Sequence, residues 1–229
     1  MSQSPNTYED HELYRDSARV PLSARIGRQA REDVHRIFGE TLAPRATTTI
    51  LDVGVSDDNA TDATNMLERL HPWPAQLVCA GIQEGSGFRA AFPNHRYVRI
   101  AAGRPLPFAD KSFDIAYSNA VIEHVGSWEN QRAFVAELER VARHVFIVAP
   151  NRWFPIEHHT GLPLLHWLPI SWFRALLRRS RFAFWTKEEN LHLLTRRDLV
   201  ARFATRPSPQ TCYAGVGFGM FKSNIIAYH

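Results

Sequence analysis

The sequence predicts an α/β protein built on a doubly wound parallel sheet. Three observations predict it. Helical and strand-like patterns alternate from about residue 20 to residue 150. The strand-like segments are continuous apolar runs, as strands buried on both faces require. The chain has 229 residues, 45% of them hydrophobic and 22% charged, which suits one domain with a full core.

Residues 1–20 are polar and lack an apolar signal core, so they read as a flexible segment ahead of a single domain over 21–229. VPLSARIGRQAREDVHRIFGETL (Val20–Leu42) sets Ile26, Ala30, Val34, Ile37 and Phe38 at helical spacing, and Pro44 closes that helix. TTTILDVGV is a β-branched, apolar run and reads as a buried strand. A helix is expected over Ala60–Leu70, a strand over Ala75–Ile82, a weak glycine-interrupted helix in EGSGFRAAF, and a strand over His95–Ala101. Ser112–Asn119 reads as a further strand. The clearest helix is Ser127–Ala142: Ser127 caps it, Glu129 sits in its first turn, and Phe134, Leu138, Val141 and Ala142 share one face. His144–Pro150 is the next buried strand. Strands alternating with helices in this way build a parallel sheet covered on both faces.

After Pro150 the pattern breaks. Residues 150–179 hold four prolines, three tryptophans and three histidines, so a lid-like insertion is expected over about 151–182. A capped helix, Thr195–Ala204, follows. The last two strand-like pieces, TCYAGV and NIIAYH, lie close enough in sequence to form a hairpin.

The formal net charge is +4, but the arginines are scattered, and nucleic acid is not expected as the partner. The two cysteines, Cys79 and Cys212, form neither a metal spacing nor a disulfide framework, which points to a reducing cytoplasm. No apolar run reaches the length of a membrane span. Gly161–Arg179 mixes Leu, Trp and Phe with Arg. It reads either as a surface touching membrane or as a lid packed on its own core.

In an open parallel sheet, ligands bind beyond the carboxyl ends of the strands. The informative positions are therefore Asp52–Asp58, Gln83–Glu84, Ala102–Arg104, Asn119–Ala120 and Asn151–Arg152. The first of these turns, in ILDVGVSDD (Ile50–Asp58), has a single glycine, Gly54, and does not match the dinucleotide pattern G-x-G-x-x-G.

LPFADKSFDIAYSNAVIEHV (Leu106–Val125) resembles the fourth-strand region of class I S-adenosylmethionine-dependent methyltransferases, where an LPF turn precedes a strand beginning FD and an E-H pair follows. ILDVGV is similar to that family's first strand and turn, and APNRWFPIEHHTGLPLLHWLP is similar to a segment of one bacterial branch. The resemblance covers about residues 20–229. It implies a Rossmann-like sheet of seven strands, six parallel and the last inserted antiparallel. It implies S-adenosylmethionine as cofactor and a small-molecule acceptor methylated on oxygen or nitrogen. It also implies that Asp52 sits near the cofactor, that Gly54 lets the backbone approach the methionine part, and that Asn119 and Ala120 line the methionine end. A turn that wraps an amino acid and a nucleoside has no pyrophosphate to cradle, so one glycine can suffice.

The chain departs from the family at several points. Ser56 and Asp58 replace the later turn glycines. Gln83 stands where an acidic residue takes the ribose hydroxyls, with Glu84 beside it as a substitute. Ala102, followed by Gly103, stands where an aspartate faces the adenine. Each loss removes about 1–2 kcal/mol of hydrogen bonding at most. These departures motivate an alternative, a non-catalytic subunit or scaffold with this fold. The Trp-rich segment motivates another, a membrane-associated enzyme acting on a lipid-linked or glycan precursor.

Methyl transfer is an in-line displacement at a sulfonium, and a hydroxyl acceptor must also lose its proton. His124, after the fourth strand, is a candidate base or a residue that orders its loop. Glu157 and His159 match the branch motif, either as a carboxylate–histidine pair for proton removal or as pins for the Pro-rich loop. His158, His159 and His166 complete no ligand set, and no metal is expected. Asp57 and Asp58 read as a solvated turn, and Asn65 is placed to face the cofactor.

Overall fold

A computed structural model describes residues 21–59, 64–204 and 207–229, with side chains from residue 27 onward. The segment 1–20, the Ile26 side chain and residues 60–63 of the helix expected over Ala60–Leu70 lie outside the described residues. Seven strands form one sheet: β1 Ile50–Val53, β2 Leu77–Gly81, β3 Arg96–Arg99, β4 Phe113–Asn119, β5 Ala142–Pro150, β6 Gln210–Ala214 and β7 Asn224–Tyr228. Their order is β3-β2-β1-β4-β5-β7-β6. Pairing is parallel from β3 through β5, and β7 runs antiparallel to both β5 and β6. The hairpin at the chain's end therefore inserts its second strand beside β5, the arrangement that the resemblance implies.

The helices among the described residues are α1 Pro21–Leu42, α2 Met66–Leu70, α3 Ser86–Ala91, α4 Trp128–Val141, α5 Ile170–Leu177 and α6 Arg196–Val200. On α1, Ala30, Val34 and Phe38 face the sheet, and Phe38 packs edge-on against Tyr117 and Phe146, at 5.3 and 5.2 Å. The helix ends where Ala43 turns to φ 42, just ahead of Pro44. Each face of the sheet carries its own core. One joins α1, α2 and α3 to the sheet, the other α4 and α6.

Three bounds differ from expectation. β5 starts at Ala142, directly after α4, because the ladder to β4 runs through exposed Arg143 and His144 and needs no apolar side chains there. The helix described after β1 covers only Met66–Leu70, and α6 stops at Val200. Segment 151–194 is irregular, as its prolines require: α5 stands between 3-10 turns at Leu165–Trp167 and Ala183–Thr186. Asn151 pins its base, donating from Nδ2 to the Met220 and Lys222 carbonyls, both at 2.8 Å. Trp185, Leu191 and Leu193 give this segment a small core of its own. No described helix is long and apolar enough to cross a membrane.

Candidate active site

β1 and β4 are neighbours, while the chain winds outward from them in opposite directions. The switch in strand order opens a cleft at their carboxyl ends. The register sets Cys79, Asp52, Tyr117 and Phe146 side by side across β2, β1, β4 and β5. Asp52 is the one carboxylate in that row. Glu68 of α2 lies over it, also buried, and accepts from the Cys79 thiol at 3.3 Å. Burial, with Glu68 beside it, pushes the Asp52 carboxyl well above the usual carboxylate range. Burial also raises Glu68. Two carboxyls in one dry spot cannot both ionise unless a cation joins them. Arg31 of α1 reaches the same cleft, whose wall is completed by Gly54, Asn119 and Ala120.

The turn after β1 is closed by side chains. Gly54 has φ +104, and a Cβ there would lie 2.1 Å from Val121 Cγ2. A side chain at Gly54 would therefore strike the segment that follows β4, which the glycine allows to pack against the turn. Ala120 holds the left-handed conformation with φ +57 and donates its N–H to the Val148 carbonyl at 3.0 Å. Asn65 accepts from Ser56 N at 2.9 Å and donates to Ser56 O at 2.8 Å, so it ties the turn shut at the cleft's edge. Asp57 N donates to Gln83 Oε1 at 2.8 Å, while the Asp57 carboxylate accepts from Phe88 N at 2.7 Å and Gly85 N at 3.2 Å.

These bonds decide where the eight expected cofactor residues lie. Asp52, Gly54, Asn119 and Ala120 line the cleft. Gln83, Glu84, Ala102 and Gly103 do not. Gln83 spends its side-chain oxygen on the turn backbone. Glu84 is exposed and paired with Arg99. Ala102 and Gly103 form an exposed turn after β3. Sequence reasoning missed Arg31, Glu68 and Tyr117 in the cleft wall. The available signal for Arg31 was its place three residues before Val34, at the edge of the apolar stripe of α1. Glu68 stands beside Leu67 in a helix too short to show its register.

The three expected catalytic residues come together beyond β4. The 3-10 turn Ile122–His124 is held by His192 N donating to Glu123 O at 2.7 Å and by Gln131 Nε2 donating to Ile122 O at 3.1 Å. His124 Nδ1 donates to Asn190 O at 2.7 Å. From the irregular segment after β5, His159 Nδ1 meets Glu157 Oε1 at 2.7 Å, and its Nε2 lies 3.2 Å from His124 Nε2. Glu157 Oε2 accepts from Thr160 N at 2.6 Å. Trp185 closes over the pair, its ring 4.7 Å from that of His159. Both imidazoles are almost wholly out of solvent. His158 and His166 go elsewhere, bonding the Ser223 and Phe154 carbonyls at 3.2 and 2.8 Å.

The electrostatics follow from this chain. Burial drives His124 down to about 3, with His159 adding to the effect. Burial works to raise Glu157, but the charge and hydrogen bonds of His159 overcome it and hold the carboxyl at about 2. Burial opposes protonation of His159, and Glu157 outweighs it, so His159 is raised. Each Nδ1 already has an acceptor, so the facing Nε2 atoms need something positive between them. Glu123, fully buried, stands with Oε1 3.8 Å from His124 Nε2, and burial raises its carboxyl to about 7.

Comparison with known proteins agrees with this fold. Residues 51–145 match the family model described as a methyltransferase domain. A methyltransferase of Aquifex aeolicus has a similar fold, at 13% identity over 96% of this chain and 98% of that one, with a TM-score of 0.57. A Pyrococcus horikoshii protein gives 0.59 at 14% identity, covering 96% of each chain. Magnesium protoporphyrin IX methyltransferase of Synechocystis, solved with bound SAH, gives 0.58 at 13% identity over 95% of this chain and 92% of that one. No curated protein matches the sequence.

Proposed function

We propose that this chain, a class I S-adenosylmethionine-dependent methyltransferase, moves the methyl group to an oxygen or nitrogen of a small-molecule acceptor. The observation that carries the reading is the cleft at the ends of β1 and β4, with two buried carboxyls on one wall and the Glu157–His159–His124 chain beyond it. The methionine end of the cofactor would sit in this cleft. Asp52 and Glu68 would face its cationic groups, Arg31 its carboxylate, and the backbone at Gly54, Asn119 and Ala120 would set its position. The cofactor supplies an activated methyl on a sulfonium. The chain's own residues align donor and acceptor, and the Glu157–His159–His124 chain handles the acceptor's proton. Two free thiols, Cys79 and Cys212, suit a cytoplasmic setting.

Calorimetric titration with S-adenosylmethionine and with its demethylated product tests the cofactor half. Saturable binding that weakens in Arg31→Ala is expected. A screen of hydroxyl and amine acceptors, read by release of the demethylated product, tests the other half. No binding up to millimolar cofactor would instead support the non-catalytic alternative, which Gln83's commitment to the turn favours.

A lipid-linked acceptor is the second reading, favoured by Trp172 and Leu176 standing 67% and 61% exposed on α5. Failure to sediment with anionic liposomes at low salt would remove it.

A further inference from the structure

We infer that Glu123, His124 and His159 form a binding site for one divalent transition-metal ion, with Glu157 and the Asn190 carbonyl as its outer support. The ligand atoms all lie within 4.8 Å of one another. The His124 and His159 Nε2 atoms are 3.2 Å apart, with the rings nearly perpendicular at 86°. Two imidazoles on a tetrahedral zinc, each at about 2.0–2.1 Å, place their nitrogens about 3.3 Å apart. Glu123 Oε1, at 3.8 Å from His124 Nε2, needs only a small side-chain shift to complete the third vertex.

The surroundings also fit. Ligating histidines commonly donate their other ring N–H to a carboxylate or a backbone carbonyl, which fixes ring and tautomer. Here His159 donates to Glu157, and His124 donates to Asn190 O, both at 2.7 Å. Each ring therefore presents a lone pair at Nε2, and the two lone pairs converge.

Glu123 separates a cation from a shared proton. A proton between the rings would account for the 3.2 Å approach and leave Glu123 aside. Yet Glu123 is 0% exposed, and neither of its carboxylate oxygens meets a hydrogen-bond partner from another described residue. Buried carboxylates without partners are rare because desolvation is not repaid. A cation between the three side chains partners both the carboxylate and the lone pairs. Two histidines and one carboxylate leave a coordination position open, as zinc enzymes do.

The site also links two parts of the chain. Glu123 and His124 follow β4, while His159 belongs to the lid, so the cation would clasp the lid to the sheet. The site stands on these atoms alone. Its catalytic consequence, that with both rings held as ligands an acceptor hydroxyl on the ion's open position would lose its proton more readily, rests on the proposed function.

The test is metal content of the purified full chain, then titration of chelator-treated protein with zinc against a chromophoric chelator, and with cobalt by visible absorption. One equivalent per chain is expected, with d–d bands of a four- or five-coordinate cobalt site. Glu123→Gln and His124→Asn should each weaken binding at least tenfold, and His158→Gln should leave it unchanged. If Glu123→Gln does not fold, the cobalt spectrum of the unsubstituted protein still decides. No competition at micromolar zinc, or binding that ignores both substitutions, overturns the inference. Calorimetry with S-adenosylmethionine on the chelator-treated protein separates this from failure of the proposed function, because the cofactor cleft shares no residue with the metal site.

Discussion

At the scale of single residues, the cleft is built from groups that stability alone would not choose. Asp52 and Glu68 share one dry position, where burial and mutual repulsion raise both carboxyls. A carboxyl raised in the folded state adds stability below its unfolded pKa and loses it as pH rises through the folded one. At neutral pH the pair is therefore a liability unless a cation joins it. Asp52→Asn fixes the position in a neutral form at every pH and keeps a donor for Glu68. It should raise the unfolding free energy of the ligand-free protein by about 1 kcal/mol or more while weakening S-adenosylmethionine binding about tenfold. Urea unfolding and calorimetry measure the two effects. A destabilised variant with unchanged binding would contradict the role given to Asp52. Gly54 makes the opposite case, a residue fixed by packing. With φ +104 and Val121 in the way, Gly54→Ala should cost about 2–4 kcal/mol. Adding Val121→Ala should recover the steric part and leave the backbone part. Equal losses in both backgrounds would mean that Val121 is not the obstacle.

At the scale of elements, what could be read depended on how local the cause was. The strands were legible because two-sided burial writes itself as an apolar run, as in Val145–Ala149. Their ends were less so: Arg143 and His144 belong to β5 through backbone pairing that no side chain announces. The N-terminus of α6 was legible because its signal is contiguous. Thr195 accepts from Asp198 N at 3.2 Å, and Asp198 Oδ2 accepts from Thr195 N at 2.9 Å. Thr195→Ala should therefore cost about 1 kcal/mol in denaturant unfolding, and Thr195→Ser should restore most of it. Indifference to Thr195→Ala would show that tertiary packing alone holds α6. The site divides along the same line. Asp52, Gly54, Asn119 and Ala120 sit in short motifs at or just after strand ends, and a reading of strand ends leads to the cleft that they line. The bond from Asp57 N to Gln83 was not legible in the sequence, because it depends on how two turns meet, 26 residues apart. Glu123 and His124 were visible as a pair, but only the folding of the segment after β5 brings His159 to them.

At the scale of the whole molecule, several buried histidines set how the fold meets acid. His71 is 6% exposed, packs edge-on against Trp73 at 5.5 Å, and has no partner for Nε2 among the described residues. Burial lowers it to about 4, with the nearby charges of His35 and His95 adding to the effect. In the unfolded chain the same ring titrates near 6.5. Between these values the unfolded state binds more protons, so stability falls as pH drops from about 6.5 toward 4. By linkage, His71 alone contributes about 2 kcal/mol of lost stability at pH 5. Asp52 and Glu68 act in the opposite sense, because their raised carboxyls favour the folded state as pH falls. The net slope therefore mixes signs, and a single pH profile cannot assign it. A difference between variants can. In chelator-treated protein, where metal release plays no part, His71→Gln keeps a neutral polar ring substitute and removes the titration. Its unfolding free energy should fall less between pH 7.5 and pH 5 than that of the unsubstituted chain, by about 1–2 kcal/mol, in parallel urea titrations. If both proteins lose the same amount, His71 is not buried neutral in the folded state. The acid response would then come from the other buried histidines, His35, His95, His124 and His158 among them.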